Sequence, residues 1–123
     1  MCDFSLEMYR TRLAREGETY KTARFPSGTV GLAPMGGDTT PVCVPYDTQL
    51  ILEDIPQDLQ DSLAIRAREN VTFVRLEQGP YRDGVKFHGG MEISLQRLGP
   101  GVRATVTVLL ENMARTARAA AMI

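Results

Sequence analysis

With 123 residues, the chain is long enough for one domain and too short for two of ordinary size. Its 43% hydrophobic and 24% charged residues are typical of a globular protein. The net charge of −1, from 14 basic and 15 acidic residues, favours neither a nucleic acid nor an anionic membrane as a partner. No apolar run approaches the ~18 to 20 residues that a transmembrane helix requires.

The two cysteines, Cys2 and Cys43, are too few for the disulfide framework of a small secreted domain. The first residues, Met-Cys-Asp-Phe-Ser-Leu-Glu, lack both the basic and the apolar region of a signal peptide. The sequence therefore predicts a cytoplasmic protein with reduced thiols.

The first third of the chain predicts strands and turns. Residues 1–16 alternate in a way that permits a strand or a short amphipathic helix, and we favour a strand over the first half. Gly17 suits the turn that follows, because glycine readily adopts a positive φ. Residues 18–25 and 29–33 predict a hairpin around the break at Pro26-Ser-Gly28.

A corner at Pro45-Tyr-Asp47 is predicted to join two core strands, at 41–45 and 48–53. Proline cannot donate to a strand ladder, which places it at a strand end or edge. Residues 55–62 predict one helical turn, with Pro56 at its first helical position.

The second half predicts more strands. Residues 63–67 and 71–76 are the first two, and the second is rich in β-branched and aromatic residues. Residues 85–88 and 91–97 predict a hairpin through Gly89-Gly90. With 102–110, the last three strands predict a meander.

The pattern as a whole predicts an all-β fold. About eight to ten short strands, with turn signals every 8 to 12 residues or so, indicate a small antiparallel β-sandwich or barrel, and the pattern does not decide between them. Residues 1–111 form the predicted β domain. The Ala-rich tail at 112–123 predicts a short C-terminal helix, which would need docking to persist.

Standard catalytic motifs are missing from the sequence. It has no P-loop, no dinucleotide fingerprint, no nucleophile elbow and no His-Glu-x-x-His. Tyr81-Arg82-Asp83 lies in a predicted loop, where binding residues often concentrate. The carboxylates at Glu53-Asp54, Asp58 and Asp61 could bind a hard cation, but a solvated helix face explains them better.

Three residues could supply thiolate or imidazole chemistry. Removal of Met1 would make Cys2 an N-terminal nucleophile or a bidentate ligand, although it also fits a residue with no role. Cys43 is predicted to pack as a small hydrophobe on the face opposite Val42 and Val44. His88 lies at a predicted hairpin tip. Together Cys2, Cys43 and His88 could form a metal site of the catalytic zinc type, but no Cys-x-x-Cys spacing supports it.

Four short stretches carry a resemblance to a known family: Met1-Cys-Asp-Phe-Ser-Leu6, Thr22-Ala-Arg-Phe25, Cys43-Val-Pro45 with the strand after it, and Arg103-Ala-Thr-Val106. Over about residues 1–110 the chain resembles small bacterial proteins of unassigned function that begin Met-Cys-Asp-aromatic-Ser-Leu. The resemblance implies a self-contained domain in a bacterial cytoplasm and supplies no activity or cofactor. Where those proteins commonly show Pro-Gly-Thr, this chain has Pro-Tyr-Asp-Thr, and a turn fits both.

Two hypotheses for function follow. The first is a small non-catalytic binding or accessory protein that acts through protein–protein contacts, with a protein partner or a second copy of itself bound through the C-terminal tail. The second is a metal-binding or redox protein that uses Cys2, Cys43 and His88. The sequence identifies no cofactor and leaves enzymatic activity undecided.

Overall fold

A computed structural model of the protein describes residues 12–37 and 40–109. The described residues form nine β-strands and two short helices. The strands are β1 (Arg12–Leu13), β2 (Thr19–Arg24), β3 (Val30–Pro34), β4 (Val42–Cys43), β5 (Gln49–Glu53), β6 (Glu69–Arg75), β7 (Asp83–Phe87), β8 (Glu92–Ser94) and β9 (Arg103–Val108), and the helices are α1 (Gln57–Leu63) and α2 (Leu95–Leu98).

All nine strands belong to one sheet, in the order β1-β4-β3-β2-β9-β5-β6-β7-β8. Every pairing is antiparallel except that of β1 with β4. The end strands β1 and β8 do not pair with each other, so the described sheet is not closed into a barrel. The predicted all-β fold is confirmed, and of the two alternatives it is the sandwich-like one.

The sheet surrounds a single main core, because alternate residues of each long strand face the same side. On β2 the inward-facing Tyr20 and Thr22 are buried, whereas Lys21 between them is exposed. The same alternation runs through the central strands, whose inward residues are Leu50 and Leu52 on β5, Val71 and Phe73 on β6, and Ala104 and Val106 on β9.

Helix α2 packs between the two halves of the sheet. It contacts β3 in one half and β7 and β8 in the other. The side chain of Gln96 accepts a hydrogen bond from the Val30 N–H (2.8 Å) and donates one to the Gly28 carbonyl (2.9 Å). These contacts explain why one open sheet encloses one core.

Four predicted local features are confirmed. Strands β2 and β3 pair as a hairpin, and so do β7 and β8. The predicted helical turn is α1, although Pro56 is its N-cap rather than its first helical residue. The corner is also present: the Thr48 N–H bonds to the Pro45 carbonyl (3.3 Å), and Asp47 has a φ of 72°.

Two strand predictions are wrong. Residues 63–67 are not a strand, because α1 continues to Leu63 and Ala64 ends it in the left-handed conformation, with a φ of 54°. The predicted strand at 91–97 stops at Ser94, whose side chain accepts a hydrogen bond from the Arg97 N–H (3.0 Å). This cap starts α2 where apolar alternation alone predicted a longer strand.

The predicted meander of the last three strands is also wrong. Strand β9 does not pair with β8 but lies between β2 and β5 in the middle of the sheet. Thr22 holds the connection that leads into β9: its hydroxyl donates to the Gly99 carbonyl (2.7 Å) and accepts from the Val102 N–H (2.8 Å). A residue of the first hairpin thus fixes the start of the last described strand.

Two predictions fall outside the described residues: the strand in the first half of 1–16, and the helix at 112–123. Among the helices that are described, neither has the length and apolar character needed to cross a membrane.

Candidate functional site

A groove of about 670 Å³ lies on the outer face of the sheet, over β5, β6, β7 and β8. We call it the outer groove. It is open to solvent, and its lining is mixed in charge and largely polar: Tyr46, Asp47, Gln49, Asn70, Val71, Thr72, Val74, Arg75, Lys86, Phe87, His88 and Glu92.

The strand register sets the floor of the outer groove. Gln49 lies opposite Thr72, Thr72 opposite Lys86, and Lys86 opposite Glu92, so these four side chains form one row across four strands. The Thr72 hydroxyl donates to Gln49 Oε1 at 3.2 Å. The row presents an amide, a hydroxyl, a cation and an anion side by side.

The wall of the outer groove at Tyr46 is fixed by a buried carboxylate. Tyr46 stacks on Phe73 with ring centroids 5.5 Å apart and planes 9° from parallel. Its hydroxyl donates to Asp83 Oδ1 at 2.7 Å, and Asp83 is only 3% exposed. The bond joins the corner after β4 to the start of β7, so it holds the aromatic wall against the strands of the floor.

A second concavity, of about 530 Å³, lies beside the edge strand β8. We call it the edge cleft. Its lining combines the 76–81 loop with β8 and the first turn of α2: Leu76, Gln78, Gly79, Pro80, Tyr81, Glu92, Ile93, Ser94, Gln96 and Arg97. Glu92 lines both concavities, so the outer groove and the edge cleft meet at this residue.

Carboxylates near β5 are engaged by arginines. Arg103 Nε lies 2.6 Å from Asp54 Oδ2, and its Nη2 lies 3.9 Å from Glu53 Oε2. The hydrogen bond from Arg103 to Asp54, together with the charges of Asp54 and Glu53, raises the pKa of Arg103 above its usual value. Arg68 also approaches Glu53, at 3.7 Å. Ion pairing therefore accounts for two of the four carboxylates considered as cation ligands.

Two of the three predicted metal ligands lie in different parts of the described structure. His88 lines the outer groove. Cys43 packs instead with Phe25, Ala23 and Ala33 in a small apolar cluster apart from the main core. Between residues 12 and 109, leaving out 38 and 39, no three His, Cys, Asp or Glu side chains are grouped to hold a metal ion.

Cys43 has the orientation that strand alternation predicts, since Val42 and Val44 are buried in the main core and Cys43 is not part of it. Cys43 is disulfide-bonded, so the prediction of a free thiol at this position is wrong. Cys2, the other cysteine of the sequence, lies outside the described residues. The three-ligand hypothesis is therefore not tested.

Lys86, Glu92 and Thr72, which form part of the floor of the outer groove, were not predicted as site residues. The available signal was their alternation with buried neighbours such as Val85, Phe87 and Ile93, which marks them as outward-facing. Alternation does not reveal which strands are neighbours, and the row exists only because β5 to β8 are adjacent.

Comparisons of the chain with protein-family models, with curated proteins and with solved structures gave no significant match.

Proposed function

We propose that the protein is a small non-catalytic binding protein that acts through protein–protein contacts, and that the outer groove is its contact surface. The observation that supports this most is the row of Gln49, Thr72, Lys86 and Glu92, in which donors, acceptors and both signs of charge alternate across an open face. Such a surface matches the polar, charged exterior of another protein.

The shape of the outer groove favours a macromolecular partner over a small ligand. Small-molecule sites are usually enclosed and mostly apolar, with a few converging polar groups. The outer groove is open, and it carries Lys86 and Arg75 together with Asp47 and Glu92. These four charges would give orientation and specificity to a partner of complementary charge.

A matched pair of charge reversals tests the proposal. Lys86 and Lys21 are both exposed lysines on the outer face, but only Lys86 lines the outer groove. Lys86→Glu is expected to reduce the protein partners recovered after chemical cross-linking in native extract, and Lys21→Glu is expected to leave them unchanged. Equal recovery with both variants and wild type would rule out the groove as the contact surface.

A second copy of the chain is the other partner considered. Size measurements at several concentrations distinguish the two cases, because a homodimer would form in purified protein without extract. Dimerisation abolished by Lys86→Glu but not by Lys21→Glu would assign the groove to self-association. Together with this function we propose a cytoplasmic location and kinship with the bacterial family that the sequence resembles.

A redox protein is the second candidate, because Cys43 is disulfide-bonded. The thiols proposed for this function are Cys2 and Cys43, the two cysteines of the sequence. A cellular dithiol would reduce this bond by exchange, giving its two electrons and two protons and becoming a disulfide itself. The two thiols released would lose their protons on binding a metal as thiolates, with His88 as the third ligand. A stable disulfide is rare in the cytosol. The redox candidate therefore favours an oxidising compartment, whereas the binding-protein proposal is paired with a cytoplasmic location.

Thiol counting tests the redox candidate. Protein purified with a thiol-blocking reagent is expected to show no free thiol before reduction and two per chain after it. Two blocked thiols before reduction would remove the disulfide form. Elemental analysis of the reduced protein, with Cys43→Ser as control, tests the metal form, and the absence of stoichiometric zinc would remove it.

A further inference from the structure

Strand β8 ends the described sheet and has a strand partner on one side only. The Phe87 N–H donates to the Met91 carbonyl (2.8 Å), which makes residues 87 and 91 a hydrogen-bonded pair. Hydrogen-bonded and non-hydrogen-bonded pairs alternate along an antiparallel ladder, so the next such pair is Val85 with Ile93. The N–H and C=O of Glu92 and the N–H of Ser94 therefore point away from β7, toward the open edge.

The edge cleft lies directly beside these outward-pointing groups. Ile93 and Ser94 line it from β8, and Leu76, Pro80 and Tyr81 line it from the loop before β7. Tyr81 is 37% exposed and is one of four large hydrophobic residues exposed in the described part of the chain. A row of free backbone groups next to an apolar wall is the arrangement by which sheets bind an added peptide strand.

We propose that β8 binds an extended peptide segment of a partner protein by adding it as a further strand of the sheet. The proposal rests on the protein-binding function proposed above and names the class of partner segment. The added strand forms main-chain hydrogen bonds with Glu92 and Ser94, and its side chains alternate between the outer face, which carries Glu92, and the inner face, which carries Ile93.

The chemistry of the two faces sets the sequence of the segment. A residue opposite Glu92 has its side chain on the outer face beside that carboxylate, where a lysine or arginine is favoured as a cross-strand neighbour. It extends the row in which Lys86 already faces Glu92. The residues between have their side chains on the inner face, beside the buried Ile93, where an apolar side chain is favoured as a cross-strand neighbour. The segment therefore alternates basic and apolar residues.

The probe is an acetylated and amidated seven-residue peptide that alternates lysine and valine, with its affinity measured by fluorescence anisotropy. In the bound register the lysine N–H groups point to β8 and the valine N–H groups point to solvent. N-methylation of the lysines should weaken binding by about tenfold or more, because it removes backbone hydrogen bonds worth ~1 kcal/mol each. N-methylation of the valines should leave the affinity within about twofold.

Substitutions in the protein give a matched comparison. Glu92→Pro removes an outward-pointing N–H and, because Ile93 carries the bonds to β7, leaves that pairing in place. Glu92→Ala keeps the N–H and removes only the carboxylate. We expect Glu92→Pro to abolish binding of the probe and Glu92→Ala to weaken it partially. Hydrogen exchange of the Glu92 and Ser94 amides in the wild-type protein should slow when the probe is added.

Equal effects of lysine and valine N-methylation, or equal binding of a peptide that alternates glutamate and valine, would overturn the proposal. Dimerisation of the protein through β8 with no binding of the probe would also overturn it. The wild-type exchange and N-methylation measurements keep the test valid if Glu92→Pro does not fold. A negative result for strand addition at β8 would not argue against the outer groove as the contact surface, because Lys86→Glu tests that surface separately.

Discussion

The centre and the edge of the sheet have the same kind of strand pairing but differ in how many partners each strand has. At the centre, β2, β9 and β5 have partners on both sides, and Thr22 seals the turn into β9 with two side-chain hydrogen bonds. At the edge, β8 is three residues long and pairs only with β7. The difference shows that the backbone N–H and C=O groups are hydrogen-bonded on both sides of a central strand. On β8, those that point away from β7 can still bond to another strand.

The largest effect on stability is expected at the centre, from Thr22→Val. The substitution keeps the shape of the side chain but leaves the Val102 N–H and the Gly99 carbonyl without their partner. Because Thr22 is only 1% exposed, water cannot readily replace the hydroxyl. The free energy of unfolding, measured by urea denaturation, should fall by about 3 kcal/mol.

Thr22→Ser is the control for this prediction, since it keeps the hydroxyl and should be clearly more stable than Thr22→Val. A loss below about 1 kcal/mol in the valine variant would mean that the hydroxyl contributes no more than an ordinary surface hydrogen bond. The contrast between centre and edge would then rest on strand pairing alone.

A smaller loss is expected at the edge, from Gly84→Ala. A Cβ at this position would lie 2.5 Å from the Ile93 carbonyl oxygen and 3.0 Å from the Leu76 side chain. Strand β8 can yield, because it is the last strand of the described sheet, and we expect a loss of about 2 kcal/mol by urea denaturation. Gly89→Ala, where no atom lies within 4 Å of the added Cβ, should change little.

If Gly84→Ala lowered the free energy of unfolding by more than Thr22→Val, the edge of the sheet would be as rigid as its centre. That result would contradict the comparison and would also argue against β8 as a strand that adapts to a bound peptide.

The smallest of the three losses is expected from Tyr46→Phe, which removes the hydroxyl that donates to buried Asp83 while keeping the ring on Phe73. A hydrogen bond to a charged group contributes about 1.5 kcal/mol or somewhat more, and other contacts of Asp83 remain in the variant. Tyr81→Phe, at an exposed position, is the control and should have no effect. Identical unfolding curves for the two variants would exclude a role for the Tyr46 hydroxyl in holding the groove wall.

Local features of the fold could be predicted from the sequence because their causes are local. Alternating side chains and a glycine turn were sufficient for the β2–β3 and β7–β8 hairpins. Helix α2 was missed because Leu95 continues the apolar alternation of β8, although Ser94 is a good N-cap residue and was the available signal. At Ala64 the left-handed conformation that ends α1 had no signal, since alanine rarely adopts it.

Long-range order could not be predicted in the same way. The position of β9 depends on its pairing with Thr19 to Lys21 at the other end of the chain, and no short pattern encodes that pairing. The candidate site depends on the same order, because Gln49, Thr72, Lys86 and Glu92 come from four strands. His88 was identified as a residue of interest, but its place in the outer groove follows from the neighbours of β7.

The position of β9 has a consequence for how the protein is made. Strand β9 joins β2 to β5. Among the described strands, the two parts of the sheet, β1 to β4 and β5 to β8, therefore share no pairing until β9 has been synthesised. Contacts of such long sequence separation slow folding, since the intervening loop must close before they form. On the ribosome the earlier hairpins therefore keep unpaired edges, and we expect the complete sheet to form only after β9 has emerged.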